Sequence, residues 1–161
     1  MIAIVALMGK VVPWSAMSRI LSKWVVLQEH AVEVADTSAD GAVTDEAVER
    51  WLAGARQAYL DRCEHLHQPG LEVRSRLSAP VPGERLGRPE SVVVSATAAE
   101  VRPASFTISV RVRPIDGEHE MPLNATWTVT LVDPATGEAR ELGTEVRDEL
   151  IALEHAAHEY N

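Results

Sequence analysis

One stretch limits the possible folds more than any other. From Thr44 onward, Val48, Trp51, Leu52, Ala55, Tyr59 and Cys63 recur at spacings of three and four. That spacing gives a helix an apolar face lasting about four turns. Thr44 supplies an N-cap hydroxyl, and Asp45 and Glu46 put negative charge in the first turn, where the helix dipole favours it. Gln68, Pro69 and Gly70 then end the pattern. The only other helical stripe is Val146, Leu150, Leu153 and Ala157, opening at Thr144 and expected to fray at the terminal His-Glu-Tyr-Asn, residues 158–161.

The rest of the chain has period two. Trp24 to Val34 reads as a strand, with Val32 and Val34 set against Ala31, Glu33 and Ala35. Leu71, Val73, Ser75 and Leu77 oppose Glu72, Arg74 and Arg76; a turn-rich connection from Pro80 to Pro89 follows, and then the apolar run that begins at Val92. The clearest alternation sets Phe106, Ile108, Val110 and Val112 against Thr107, Ser109, Arg111 and Arg113. Trp127, Val129 and Leu131 repeat it against Thr126, Thr128 and Thr130, before a turn at Asp133 to Gly137. Such segments suit a half-buried antiparallel sheet. With one strand, one long helix and then several strands in order, the sheet must wrap the helix, an α+β architecture with a C-terminal helix.

Charge and cysteine content narrow the function. The net charge is −9, and no Lys or Arg lies between Lys23 and Arg50, so the chain lacks the basic footprint that nucleic acid demands. A single cysteine, Cys63, excludes an internal disulfide, fits a reducing compartment and falls on the helix's apolar face. Met1 to Met8 is nearly all apolar, but no basic residue precedes the run and Lys10 interrupts it, unlike a signal peptide. It is also well short of the ~20 residues that span a bilayer. The expectation is a cytoplasmic protein with residues 24–161 as one domain. Residues 1–23 would be an extension, either a packing segment or sequence upstream of a start near Met17. His65 with His67, and His155 with His158, have no Cys or carboxylate at a ligand spacing, so neither a metal nor a cofactor is expected.

The order strand, Asp-Thr-Ser-Ala-Asp-Gly-Ala-Val-Thr, helix resembles the opening of hot-dog thioesterases of the 4-hydroxybenzoyl-CoA thioesterase and YbgC-like type. Their pattern runs roughly Asp-x-Asp-x-x-Gly-x-Val into a helix with Trp, Ala-Arg and Tyr-Leu. Asp36, Gly41, Val43, Arg50, Trp51, Ala55, Arg56, Tyr59 and Leu60 match it. The resemblance extends to about Leu153, with Ser105 in the place of a recurrent serine. It implies a hot-dog fold, hydrolysis of an acyl-CoA or acyl carrier thioester, and a site at the interface of a homodimer joined edge to edge, with a homotetramer as the larger alternative. The family's second Asp, which supplies the nucleophile or base in several members, falls here on Ser38. A serine hydroxyl has no appreciable anionic form near neutral pH, and no His neighbours it in sequence to act as its base.

The candidate catalytic residues are therefore Asp45 as general base, Ser38 orienting water, and Asp36 at the strand exit; Asp40, Glu46 and Glu49 are the other carboxylates nearby. Each also has a structural role open to it: an Asx turn for Asp36, dipole stabilisation for Asp45 and Glu46. The resemblance further implies that backbone amides of Gly41, Ala42 and Val43 face the thioester oxygen, although Gly41 could equally be an ordinary turn glycine. Arg102, with Arg85 and Arg88, could meet CoA phosphates, and Ser105 could line the substrate site; solubilising arginines are the plainer account. The missing carboxylate leaves a second reading open, a non-catalytic hot-dog module that binds an acyl group or serves assembly. A hydratase on the same fold is a third, without obvious His-plus-acid machinery.

Overall fold

The structure is a computed structural model describing residues 4–7, 10–13, 24–79, 81–115 and 122–158. The proposed start near Met17 and the last three residues of the expected fraying lie outside these. The order is β1 (Ile4–Leu7), β2 (Lys10–Pro13), β3 (Val26–Ala31), α1 (Asp45–Asp61), β4 (Glu72–Leu77), β5 (Ser91–Ala99), β6 (Ser105–Pro114), β7 (Leu123–Val132), β8 (Ala139–Arg140) and α2 (Thr144–His158). β1 and β2 pair with each other as a two-stranded antiparallel ribbon. The remaining strands form one sheet in the order β3-β5-β6-β7-β4, with β8 added to β7, and every pairing is antiparallel.

Residue parity decides what the sheet buries. Phe106, Ile108, Val110 and Val112 of β6 are fully buried, while Arg111 and Arg113 between and beyond them are exposed. Register carries this inner face across the sheet: Val110 lies opposite Ala96 of β5 and Ala125 of β7, and Leu131 opposite Val73 of β4. α1 packs onto the inner face over β3, β5 and β6. Its stripe of Val48, Trp51, Leu52, Ala55 and Tyr59 joins Cys63 in the core, and Thr44 caps it by accepting the Ala47 amide at 3.2 Å. Burial, helped by Glu149 and Glu154, pushes the Cys63 thiol up to about 12, so it is a packing residue rather than a nucleophile.

α2 closes one end of the barrel-like wrap. Glu154 accepts from the Tyr59 hydroxyl and the Ala98 amide, each at 2.6 Å, and from the Thr97 hydroxyl. One carboxylate thus joins both helices to β5.

Two boundaries differ from the sequence expectation. The first core strand stops at Ala31, and Val34 to Asp36 forms a 3-10 turn in which Val34 is 89% exposed. Alternation alone suggested a longer strand, but Asp36 accepts the Glu33 amide at 2.9 Å and bends the chain. The long helix ends at Asp61 rather than near Gln68, and a 3-10 turn, Glu64–Leu66, keeps Leu66 buried. Helical spacing persists through that turn, which conceals the break.

Candidate active site

The segment between β3 and α1 satisfies its own polar groups. Asp36, 4% exposed, is ion-paired with Arg50, and its carbonyl accepts the Thr44 amide at 2.9 Å. Ser38 donates to Asp40, which also accepts the Ala42 amide at 3.2 Å. These bonds, Ser38 first, hold the Asp40 carboxyl below its usual range. Gly41 takes φ +87, a conformation that glycine tolerates. Its amide donates to the Ser38 carbonyl at 2.9 Å, and the Val43 amide to the Gly87 carbonyl at 3.2 Å. Hence Gly41, Ala42 and Val43 all carry amides with acceptors inside the chain.

Residue Asp45 is engaged as well: its Oδ1 accepts the Gly83 amide at 2.7 Å. Gly83 opens a 3-10 turn that packs on the start of α1, and a Cβ there would collide with the Thr44 carbonyl. No sequence pattern singles out this glycine, whose partner is 38 positions away. Thr44 takes the amides of both Ala47 and Val48. Asp45 and Glu46 therefore carry first-turn amides that no helical carbonyl can reach.

Further along α1, Glu49, Ala53 and Arg56 follow at spacings of four and three and share one flank. Arg56 defines where that flank faces, because its guanidinium sits 4.5 Å from the ring centroid of Trp127 on β7. Glu49 is exposed and has no hydrogen-bond or ion-pair partner among the described residues. Under this flank the inner residues Val73, Ser75 and Leu77 of β4, and Trp127 itself, are only half-buried.

The opposite flank of α1 holds a histidine outside the expected set. His30 stacks on Trp51 with ring centroids 5.9 Å apart, and its Nε2 is buried without a hydrogen-bond partner among the described residues. Burial, then the charge of Arg50, keep its pKa below the ordinary histidine value, while Asp36 pulls the other way. Inner parity with Val26 and Gln28 was the available sequence signal. The ring packs against α1 through Trp51.

Arg102 and Ser105 are not near this region. They sit at the β5–β6 hairpin, where the Arg102 amide donates to the Ser105 carbonyl at 2.7 Å. Asp36 and Asp45 flank the other end of the strands, roughly 25 Å away for a nine-residue strand. Arg102 pairs with Glu100 at 3.3 Å and lines a surface cavity with Leu142, Thr144 and Arg147. Arg85 and Arg88 belong to the connection over α1, Arg88 reaching Gly41. Among the described residues no group of three His, Cys, Asp or Glu could hold a metal ion, and no helix is long and apolar enough to cross a membrane.

A six-stranded antiparallel sheet curled on one long helix, with that helix's start facing a loop-bound turn, is the hot-dog fold of the thioesterases. Similar solved structures include YbaW, a probable thioesterase from Escherichia coli, with TM-score 0.56 and 13% identity over 80% of this chain and 98% of that one. A mutant 4-hydroxybenzoyl-CoA thioesterase complexed with 4-hydroxybenzoyl-CoA matches at 0.56 and 17% identity, covering 78% and 97%. A thioesterase from Thermus thermophilus, complexed with coenzyme A and Zn, matches at 0.57 and 18%, covering 83% and 96%. No protein-family model and no curated protein sequence matches the chain.

Proposed function

We propose that this protein hydrolyses acyl thioesters, of CoA or of an acyl carrier, at a site completed by a second copy of the chain. The observation that carries this is the Glu49 carboxylate, without a partner among the described residues, one turn into the central helix, on the flank above the half-covered face of β4 and β7. Glu49 would take a proton from water, whose oxygen forms the new C–O bond as the C–S bond breaks and the thiolate leaves with that proton. On direct attack Glu49 would form a mixed anhydride and release the thiolate; water would then cleave the anhydride to the acid and supply the thiol's proton. The first-turn amides of Asp45 and Glu46 would polarise the carbonyl. Asp45, expected from sequence as the base, serves better as a positioning residue, because its Oδ1 already holds Gly83. Ser38 and Asp36 would maintain the turn that presents the helix.

Dimerisation has its own support. Among the described residues neither edge strand, β3 nor β4, pairs with a further strand, but β3 buries Val26 and Leu27, while β4 leaves its inner side chains half-exposed. An unpaired strand beside uncovered apolar surface suits a second copy. Two-fold antiparallel pairing along β4 would set the Arg102 and Arg147 end of one subunit at the same border of the joined sheet as the Asp45 end of the other. That arrangement would offer the CoA phosphates two arginines. A cytoplasmic setting goes with the lone buried Cys63.

The second reading is a non-catalytic acyl-binding module, favoured by the intrachain acceptors on the Gly41, Ala42 and Val43 amides. Hydrolysis of a panel of acyl-CoAs decides between them. Turnover by the wild type that Glu49→Gln lowers by about a hundredfold or more supports the esterase; binding of acyl-CoA without turnover on any chain length favours the module.

A further inference from the structure

Arg56 and Trp127 together leave two buried donors unused. Trp127 occupies the inner face of β7, opposite Ile108 of β6 on one side and Leu77 of β4 on the other. Arg56 reaches down from α1 and lays its guanidinium on that ring at 4.5 Å. Buried atoms on both residues, Nε of Arg56 and Nε1 of Trp127, lack a hydrogen-bond partner among the described residues. Arg56 has no ion pair among the described residues, although carboxylates outnumber basic residues 24 to 15 in this chain. Burial keeps its pKa below the ordinary arginine value, the direction expected where no counter-charge offsets desolvation. Stacking on an indole face attracts the cation but leaves its in-plane N–H groups unused. Two orphan donors on stacked residues make a receptor for an acceptor that carries negative charge.

We propose that Arg56 and Trp127 bind a carboxylate at the far end of the acyl group, so that the preferred substrates are thioesters of medium-length dicarboxylic acids. This rests on the thioesterase reading above and adds its substrate class. The spacing agrees: Glu49 and Arg56 are seven residues apart on one flank, about 10 Å along the helix axis. A second carboxylate several carbons beyond the thioester carbonyl spans that interval, and malonyl is too short.

Adipoyl-CoA and hexanoyl-CoA form the test pair, being equal in carbon count and differing in a terminal carboxylate or methyl. The wild type is expected to show kcat/KM at least about tenfold higher for adipoyl-CoA, since a buried donor pair left unfilled penalises the methyl analogue. Arg56→Gln should erase the preference while changing hexanoyl-CoA turnover by no more than about threefold; Arg56→Lys should restore part of it. Equal rates for the two substrates in the wild type, or an undiminished preference in Arg56→Gln, overturns the assignment. So does a fall to monomer mass in Arg56→Gln, which would mean that a second copy supplies the acceptor. Should no thioester be hydrolysed, the esterase reading fails and binding still decides this one. The indole N–H resonance of Trp127, identified with Trp127→Phe, should shift on adding adipoyl-CoA and stay in place with hexanoyl-CoA; no shift with either refutes the subsite.

Discussion

The amide of Gly83 donates to the Asp45 carboxylate across 2.7 Å, tying the connection after β4 to the first turn of α1. A methyl at Gly83 would stand 2.6 Å from the Thr44 carbonyl carbon, a backbone atom that cannot swing aside. Gly83→Ala is therefore expected to destabilise the fold by about 2 kcal/mol, as overpacking does. Urea denaturation of the variant beside the wild type reads this directly, and an unchanged midpoint would remove the proposed contact.

Asp45 and Glu49 should separate kinetically. Asp45→Asn keeps an oxygen that can accept from Gly83, so the loop stays anchored and activity should fall by only about tenfold or less. Glu49→Gln should cost about a hundredfold or more in kcat with little change in stability, since Glu49 is exposed and has no partner among the described residues. Steady-state rates on one acyl-CoA, with melting temperatures for both variants, check the pair. A larger loss from Asp45→Asn would return the base to Asp45.

Acid should weaken the fold through His30. Its pKa is depressed in the native state, chiefly by burial, so its contribution is present above the unfolded value of about 6.5 and is lost as pH falls through the lower native value. His65 has the opposite sign. Its hydrogen bond to Glu149 raises its pKa, and that contribution is present below about 6.5 and lost as pH climbs through the raised value. Between about pH 7.5 and about pH 5.5, His30→Phe should flatten the acid-side fall in melting temperature, whereas His65→Gln should steepen it. Identical profiles for all three proteins would contradict both assignments.

The open β4 edge predicts a native mass about twice the 17.6 kDa of the chain. Ser75→Lys places a charge on the half-buried inner face of β4 and should shift sedimentation toward the monomer while far-UV circular dichroism is retained. A variant that remains fully dimeric would move the interface elsewhere, β3 being the remaining open edge.

Local pattern carried much of the architecture. Thr44 as N-cap, the stripe from Val48 to Cys63 and the inner parity of β6 all follow from spacings within a few residues, and each stands where sequence spacing put it. Val34 misled, because alternation has no term for a side chain turning the backbone, as Asp36 does with the Glu33 amide. The candidate site was less legible for a physical reason: its bonds link distant positions. Asp36 meets Arg50 14 residues on, Gly83 meets Asp45 across 38, and Arg56 finds Trp127 only because β7 was laid beneath α1. Periodicity names the face on which a residue lies and is silent about what lies opposite.

Glu154 gathers a hydroxyl from α1 and an amide and a hydroxyl from β5, bridging 95 positions of sequence to Tyr59. A nascent chain synthesised from its N-terminus completes that three-way grip only after every strand of the sheet has emerged. The last helix therefore behaves as a latch, and trimming the C-terminus for a smaller version would strip the hydroxyls and amide of their shared acceptor before it removed any strand.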